Sequence, residues 1–185
     1  ASGKGGTGKT SVVGSLAALA KNLVLVDCDV DAANLHLLIK HKIEKYHEFT
    51  ASHRAIIDID RCISCGICED LCRFGAISHS YDPKHPELYN YRITELLCEG
   101  CGLCYHACPE KAIDFEPVIS GQWFESHSEF GPFYHGRLGI AQANSGKLVS
   151  LLRGKAKQKS QNGGPETVLV DDPPGIGCPV IASIT

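Results

Sequence analysis

Apolar positions along the chain predict helices and short buried strands in alternation. Within residues 11–20, apolar side chains recur at helical spacing with alanines between them, and residues 145–160 also follow a helical pattern. The apolar runs at 23–26 and 167–171 have the length and composition of strands buried in a parallel sheet. Aromatic residues broken by glycines predict a hairpin or loop over 117–138, with its rings in the core.

The composition is that of an ordinary globular protein. Hydrophobic residues make up 43% and charged residues 21% of the chain, which excludes a disordered or collagen-like protein. No stretch approaches about 18 consecutive apolar residues, so no membrane span is expected. The net charge of −3 argues against wholesale binding to nucleic-acid phosphates. A length of 185 residues indicates one domain, or one domain with an insert.

Two residue counts change this picture: the chain has ten cysteines and no methionine. It begins with Ala1, and no signal-like segment precedes the first motif. We therefore expect the sequence to be a fragment of a longer protein.

The first motif is a candidate phosphate-binding loop. Residues 3–10 match G-x-x-x-x-G-K-[ST], a pattern in which glycines let backbone N–H groups surround phosphates. Lys9 would place its charge at the β- and γ-phosphates, and the Thr10 hydroxyl would ligate Mg²⁺. The predicted nucleotide-binding residues are Gly3, Gly5, Gly6, Thr7, Gly8, Lys9 and Thr10. The alternative is a glycine-rich turn. Because such a loop follows a strand, we expect the first strand to be missing.

A lysine directly after the first glycine makes this loop resemble that of the MinD/ParA and nitrogenase iron-protein group of ATPases. The resemblance implies that Lys4 reaches the nucleotide of a partner subunit across a nucleotide-dependent homodimer. The alternative is a solvated loop lysine. The ATPase motifs are also similar to those of cobyrinic acid a,c-diamide synthases, although nothing in the sequence indicates an amidotransferase site.

Carboxylates follow the first predicted strand, at the end where α/β sheets place their ligands. The resemblance implies that Asp29 positions the attacking water and that Asp27 supports Mg²⁺ or the loop. Asp31 is alternatively the N-cap of a helix over 32–39.

A second carboxylate group follows the strand at 167–171. Asp171, with Asp172-Pro173-Pro174-Gly175 after it, resembles the second switch of the same ATPases. The resemblance implies that Asp171 holds Mg²⁺ through water and that the Gly175 N–H senses the γ-phosphate. The alternative is an accidental turn after a strand. The predicted catalytic residues are Lys4, Lys9, Asp29 and Asp171.

Eight of the ten cysteines form two runs that repeat with an offset of 36 residues. Each run has the C-x2-C-x2-C-x3-C spacing of bacterial two-cluster ferredoxins, in which the fourth cysteine ligates the other cluster. This pattern implies two [4Fe–4S] clusters. Their ligands would be Cys62, Cys65, Cys68 and Cys108 for the first cluster, and Cys98, Cys101, Cys104 and Cys72 for the second. Disulfides and zinc are the less favoured alternatives.

Other residues carry weaker predictions. Arg73 stands where the second run has Pro109, and its charge is expected to raise the potential of a nearby cluster. The histidines within 40–55 lack metal-ligand spacing and are interpreted as surface or loop residues. Cys28 is predicted to be a small buried side chain, and Cys178 is a candidate ligand of a cluster shared across a dimer.

The whole chain is thus similar to MinD-superfamily P-loop ATPases that carry an inserted ferredoxin. The implied fold is α/β, an incomplete doubly wound parallel-sheet ATPase, with an inserted α+β bacterial-type ferredoxin domain. The ATPase parts would be 1–55 and 117–185, and the insert 56–116; the C-terminal part is also expected to be missing. The cofactors would be two [4Fe–4S] clusters, ATP and Mg²⁺.

The favoured function is coupling of ATP binding or hydrolysis to electron transfer. The alternatives are an ATP-dependent iron–sulfur cluster carrier or scaffold and a redox-sensing regulatory ATPase. The partner would be a redox or cluster-accepting protein in a reducing cytoplasm, with no nucleic acid involved.

Overall fold

The computed structural model describes residues 6–20, 22–81, 89–139 and 144–184. These residues form two units, one containing the described residues up to Ala51 and from Ile119 onward, the other Ser52–Val118. The elements in chain order are α1 (Lys9–Ala20), β1 (Val24–Asp27), α2 (Leu35–Leu38), β2 (His41–Ile57), α3 (Ile67–Asp70), β3 (Ile77–Tyr81), β4 (Tyr89–Ile93), a 3₁₀ turn (Glu95–Leu97), α4 (Leu103–Ala107), β5 (Ile113–Ser128), β6 (Gly131–Leu138), α5 (Ser145–Gln161), β7 (Val168–Asp171) and α6 (Cys178–Ile184).

A five-stranded sheet in the order β2-β5-β6-β1-β7 organises the first unit, which we call the sheet unit. Strand β1 lies at the parallel part of this sheet, between β6 and β7. Strands β5 and β6 form an antiparallel hairpin in which Ser128 pairs with Gly131. The sheet is therefore mixed, with parallel strands around β1, and the α/β class predicted from the sequence is confirmed.

The strand β1 is buried on both faces, because alternate side chains enter two different cores. Val24 and Val26 pack in a cluster that contains Leu148 and Leu152 of α5. Leu25 packs on the opposite face in a cluster with Phe133. This two-sided burial is the reason why the run at 23–26 is continuously apolar.

The hairpin predicted within 117–138 is present as β5 and β6. Trp123, Phe133 and Tyr134 are each less than a tenth exposed, so the prediction that these rings lie in the core is confirmed. Cys28 is fully buried, as predicted. The helices predicted at 11–20 and 145–160 correspond to α1 and α5.

Two local predictions are wrong. The helix expected over 32–39 is the four-residue α2, and its N-cap position is Asn34 rather than Asp31. The reason is a tertiary bond, since the Leu35 N–H donates to Asp27 Oδ2 at 3.1 Å. For the histidines of 40–55, interpreted as surface or loop residues, only the loop alternative is wrong: they lie in the 17-residue strand β2, half-buried or exposed, and His47 stacks on Trp123 with ring centroids 4.0 Å apart.

The second unit, Ser52–Val118, holds both cysteine runs, and we call it the cysteine unit. Strands β3 and β4 pair antiparallel, with Ile77 opposite Ile93. Helices α3 and α4 are short and follow the second cysteine of each run. The unit boundaries fall within β2 and β5, so neither coincides with a break in secondary structure.

Within the part of the chain that the structure describes, no helix combines the length and the apolar character needed to cross a bilayer.

Candidate functional site

The two cysteine runs adopt the same backbone course. Helices α3 and α4 are preceded by Gly66 and Gly102, whose φ angles of 80° and 75° are left-handed and favour glycine. In each run, this turn separates the second cysteine from the third, and both of these cysteines line the same pocket.

Hydrogen bonds relate the two halves of the repeat symmetrically. The Asp58 N–H donates to the Ala112 carbonyl, and the Thr94 N–H donates to the Ala76 carbonyl, both at 2.8 Å. The repeat offset of 36 residues relates Asp58 to Thr94 and Ala76 to Ala112, so the two hydrogen bonds are equivalent. Each half therefore closes on the other, and the duplication seen in the sequence is also a duplication of structure.

The eight cysteines of the runs lie along two pockets. Those of the first pocket are Cys62, Cys65, Cys68 and Cys108. Those of the second pocket are Cys72, Cys98, Cys101 and Cys104. Each pocket thus combines three cysteines of one run with the fourth cysteine of the other run. This is the grouping that the ferredoxin pattern implies.

The walls between the thiols are mainly apolar. Ile57, Ile63 and Ile113 contribute to the first pocket, and Ile77 and Phe115 contribute to the second. Burial raises the pKa of Cys68 to about 11 and also raises that of Cys104. Thiolates in such surroundings need a positive partner, and iron supplies one. The donor set fits a four-iron cluster held by four cysteine sulfurs.

All ten cysteines are free thiols in the structure. Among the described residues, no group of three or more His, Cys, Asp or Glu side chains converges on a single metal-ion position. The second and exposed cysteines of the two runs, Cys65 and Cys101, mark where each pocket reaches the surface.

Arg61 joins the two halves beside the first pocket. Its guanidinium donates to both carboxylate oxygens of Asp114 at 2.9 Å and to the Lys111 carbonyl at 2.7 Å, and it also bonds Asp58. The hydrogen bond from Arg61 lowers the pKa of Asp58. Arg73, by contrast, lies over the Phe74 ring, 4.9 Å from its centroid, and is not among the residues that line either pocket.

The sheet unit brings two predicted carboxylates together at one end of its parallel strands. Asp27 of β1 is in register with Asp171 of β7, and both are almost completely buried. Asp27 accepts from the N–H groups of Asp29 and Leu35. Burial raises the pKa of Asp27 to about 7, and the neighbouring charges of Asp171 and Asp29 add to the rise.

Asp171 is the less satisfied of the pair. Its two carboxylate oxygens are buried and make no hydrogen bond of good geometry with the described residues. Burial raises its pKa, while the nearby Thr10 hydroxyl and Lys9 ammonium lower it. A buried carboxylate and a hydroxyl are groups that can ligate Mg²⁺, and a lysine beside them can pair with a phosphate. This orphaned carboxylate is the observation on which the fit to Mg²⁺ depends.

The rest of the predicted loop is described only in part. Gly6 and Gly8 have left-handed φ angles of 79° and 81°, and the Gly8 carbonyl accepts the Val12 N–H at the start of α1. Thr7 is exposed between them. Gly3, Lys4 and Gly5 lie outside the described residues, so their predicted roles are not addressed by the structure.

The remaining predicted residues lie near this end of the sheet. Burial raises the pKa of Asp29, and Lys9 lowers it, so this lysine lies close to both Asp29 and Asp171. Gly175 has a left-handed φ of 98° after β7. Cys178 is exposed at the start of α6, where its Cβ lies near Gly146.

Sequence reasoning missed Tyr91, which lines the first pocket beside the cysteines and is only 7% exposed. Burial raises the pKa of its hydroxyl. Tyr91 lies between the two runs, outside any motif. Aromatic or apolar side chains alternate with polar ones over residues 89–93, which was the available signal for a strand there. The last of these residues is Ile93, which the repeat relates to Ile57.

Comparison with known proteins supports the iron–sulfur part. The 4Fe-4S dicluster domain family matches residues 42–113, and the chain thus contains a ferredoxin-like 4Fe–4S domain. An uncharacterized protein of Methanocaldococcus jannaschii is 38% identical over 187 residues, which cover 99% of this chain and 61% of that protein.

Two further relatives are similar over shorter stretches. Pyruvate synthase subunit PorD of Methanothermobacter marburgensis is 38% identical over 63 residues, which cover 34% of this chain and 65% of that subunit. One subunit of the F(420)H(2) dehydrogenase of Methanosarcina mazei is 36% identical over 59 residues, covering 29% of this chain and 17% of that subunit. The chain therefore spans less than two thirds of the length of each of these curated relatives.

Proposed function

We propose that this protein couples nucleotide binding to electron transfer through two [4Fe–4S] clusters. The observation that carries the proposal is the gathering of eight cysteines along two pockets, three from one run and one from the other. When bound, the clusters supply one-electron redox chemistry at the thiol-lined pockets. The chain's own residues hold them, exclude water with isoleucine and aromatic walls, and leave Cys65 and Cys101 at the surface.

The similarity to redox-enzyme subunits supports an electron-transfer role. PorD is a subunit of a pyruvate synthase and the Methanosarcina mazei relative is a subunit of a dehydrogenase, as their names state. We extend from those proteins to this chain only the chemical class of the partner, a redox protein. The eight thiols further support a reducing, cytoplasmic setting, because an oxidising compartment favours disulfides.

Coupling to ATP is the finer part of the proposal. It is supported by the loop sequence at residues 3–10 and by the buried, unsatisfied carboxylate of Asp171 next to Thr10 and Lys9. In this proposal Lys9 neutralises the β- and γ-phosphates, and Thr10 and Asp171 hold Mg²⁺. Asp29 would orient the attacking water, and Lys4 would reach the partner subunit's nucleotide in a homodimer.

The test is anaerobic purification followed by iron analysis and EPR, with and without Mg·ATP. We expect both clusters to be present and their EPR signals to change on adding Mg·ATP. Lys9→Ala should abolish the nucleotide effect while keeping the iron, and Lys45→Ala, which removes an exposed lysine of β2, should behave like the wild type. A protein that holds no iron after anaerobic reconstitution contradicts the electron-transfer role. Retained ATP affinity in Lys9→Ala contradicts the assignment of the loop.

The exposure of Cys65 and Cys101 also favours a second candidate, an ATP-dependent cluster carrier. Transfer of iron and sulfide to an apo-ferredoxin, measured with and without Mg·ATP, separates the two. ATP-dependent loss of clusters to the acceptor supports the carrier, whereas retained clusters that cycle reversibly support electron transfer. Sedimentation with Mg·ATP tests the homodimer.

A further inference from the structure

The two cysteine pockets differ at one equivalent place. Gly66 and Gly102 are repeat-related, and each is covered by the tip of an aromatic ring from a neighbouring strand. A Cβ at Gly66 would lie 3.1 Å from the hydroxyl oxygen of Tyr91, and a Cβ at Gly102 would lie 3.4 Å from Cζ of Phe115. The first pocket therefore has an O–H group where the second has only a C–H edge.

The two covering rings are not related by the repeat. Tyr91 of β4 corresponds by the offset of 36 to Ala55, and Phe115 of β5 corresponds to His79. Each half has thus recruited its covering ring from a different strand. Among the described residues that line the two pockets, only Tyr91 of the first carries an aromatic hydroxyl, and an alignment of the two repeats does not show it.

Neighbouring side chains hold the Tyr91 ring in this position. Tyr91 pairs with His79 across the β3–β4 ladder, with ring centroids 5.5 Å apart. His79 is itself fixed by a 2.7 Å hydrogen bond between its Nδ1 and Glu69 Oε2. With the ring only 7% exposed, the hydroxyl is directed to the segment between Cys65 and Cys68 rather than to solvent.

The two pockets do not differ in the number of carboxylates that line them. The first pocket has Glu110 in its lining, and the second has Glu99. Each thus has one acidic side chain, so the formal charge of the lining is the same. What differs is the hydrogen-bonding capacity of the group over the glycine.

We infer that the Tyr91 hydroxyl donates a hydrogen bond to a sulfur of the first cluster and raises its reduction potential above that of the second. This inference rests on the proposed function in requiring that both pockets hold clusters. Hydrogen bonds to the sulfurs of a cluster stabilise the reduced, more negative form, and are one of the ways in which proteins set its potential. An electron shared by the pair consequently resides on the first cluster.

Reciprocal substitutions test this inference by voltammetry of the reconstituted protein on an electrode, which supplies the electron. Tyr91→Phe removes the hydroxyl from the first pocket, and Phe115→Tyr adds one to the ring that covers Gly102 in the second. We expect Tyr91→Phe to shift the higher of the two one-electron waves to a lower potential and leave the other unmoved. Phe115→Tyr should shift only the lower wave, to a higher potential. Tyr89→Phe, which removes a partly exposed hydroxyl from the same strand, is the matched control and should move neither.

The outcomes separate this inference from the proposed function. Absence of iron in the wild type contradicts the function itself. Full iron content with both waves unmoved in Tyr91→Phe overturns the role of the hydroxyl, as does an equal shift of both waves. Iron analysis and the EPR signals of each variant show whether both clusters are intact, so a folding defect is not mistaken for a change in potential.

Discussion

The cysteine unit and the sheet unit each contain side chains suited to bind a ligand, namely the pocket thiols and the buried carboxylate of Asp171. We expect the stability of the two units to depend on a bound ligand to different degrees. The sheet unit has two hydrophobic clusters of its own, on either face of β1, and buries Asp27 and Asp171 at one end. Among the described residues of the cysteine unit, six hydrophobic side chains are buried, and three of these are alanines. We therefore expect the cysteine unit to need bound clusters for stability, and the sheet unit to stay folded without a bound ligand.

The largest expected effect comes from removing a cluster ligand. Cys68→Ala should abolish the first cluster and, because the two halves close on each other, destabilise the whole cysteine unit. We expect hydrogen–deuterium exchange protection to be lost in β3 and β4 while β1 and α5 stay protected. Ser80→Ala, which changes an exposed residue of β3 that lines neither pocket, is the control and should keep full iron content. Protection of β3 and β4 in the iron-free variant would show that the two units do not differ as described.

The next effect concerns the carboxylate pair. Asp171→Asn should weaken Mg·ATP binding at least about tenfold, or about 1.4 kcal/mol, because a metal-holding charge is lost. The free energy of unfolding should stay the same or increase, since the substitution removes a buried carboxylate that is poorly satisfied by the described residues. Calorimetric titration and urea unfolding measure the two. Asp60→Asn, on the surface of the cysteine unit, should change neither. A variant that binds normally but unfolds more easily would make Asp171 a structural residue.

The pH dependence of the sheet unit should reveal two opposing groups. The pKa of Asp27 is raised by burial to about 7, so its contribution is full below about pH 4 and is lost as the pH rises toward 7. The pKa of His135 is lowered to about 3, first by burial and then by His41 and His36, so its contribution is full above about pH 6.5 and is lost as the pH falls.

Single substitutions separate these contributions. Between pH 5 and 7, and relative to the wild type, Asp27→Asn should make the free energy of unfolding rise with pH, and His135→Phe should make it fall with pH. Each change in slope is at most about 1.4 kcal/mol per pH unit. Urea midpoints across this range give the slopes, and identical slopes in the two variants would contradict the assignment.

The smallest effect sharpens the comparison inside the cysteine unit. Gly75 and Lys111 are repeat-related, and both have left-handed φ angles, of 61° and 50°. Gly75→Ala should cost about 1 kcal/mol from backbone strain alone, because no described residue other than its chain neighbours has an atom within 4 Å of the added Cβ. Lys111→Gly should relieve a similar strain and be neutral or slightly stabilising. Urea unfolding followed by iron–sulfur absorbance measures both, and equal losses in the two variants would contradict the role of the left-handed backbone.

The sequence predicted most of what depends on local spacing. The intervals within each cysteine run limit which thiols share a pocket, and the apolar runs at 23–26 and 167–171 identify strands that lie inside a sheet. These patterns arise over a few residues, so one sequence is sufficient to see them. The assignment of the cysteines as cluster ligands, and of the loop as a nucleotide site, stays a prediction.

What the sequence could not predict depends on tertiary contacts. Helix α2 is short because Asp27 bonds the Leu35 N–H across eight residues, which no capping pattern reveals. Strand β2 contains three histidines, and His47 is accommodated there because its ring stacks on Trp123 and bonds Glu125, both on the neighbouring strand β5. Tyr91 reaches the first pocket only because the β3–β4 register places it there.

The pairing of each run with the fourth cysteine of the other has a consequence for biosynthesis. During translation, Cys62, Cys65 and Cys68 emerge first, but Cys108, the fourth cysteine of their pocket, is the last of the eight to be made. Cys72 likewise waits for the first three cysteines of the second run, the last of which is Cys104. The second four-sulfur set is therefore complete only once Cys104 has been made, and the first only once Cys108 has been made. If these sets hold the proposed clusters, neither cluster gains its four ligands before Cys104 is made, and a ribosome stalled between the runs exposes four reduced thiols with no completed site.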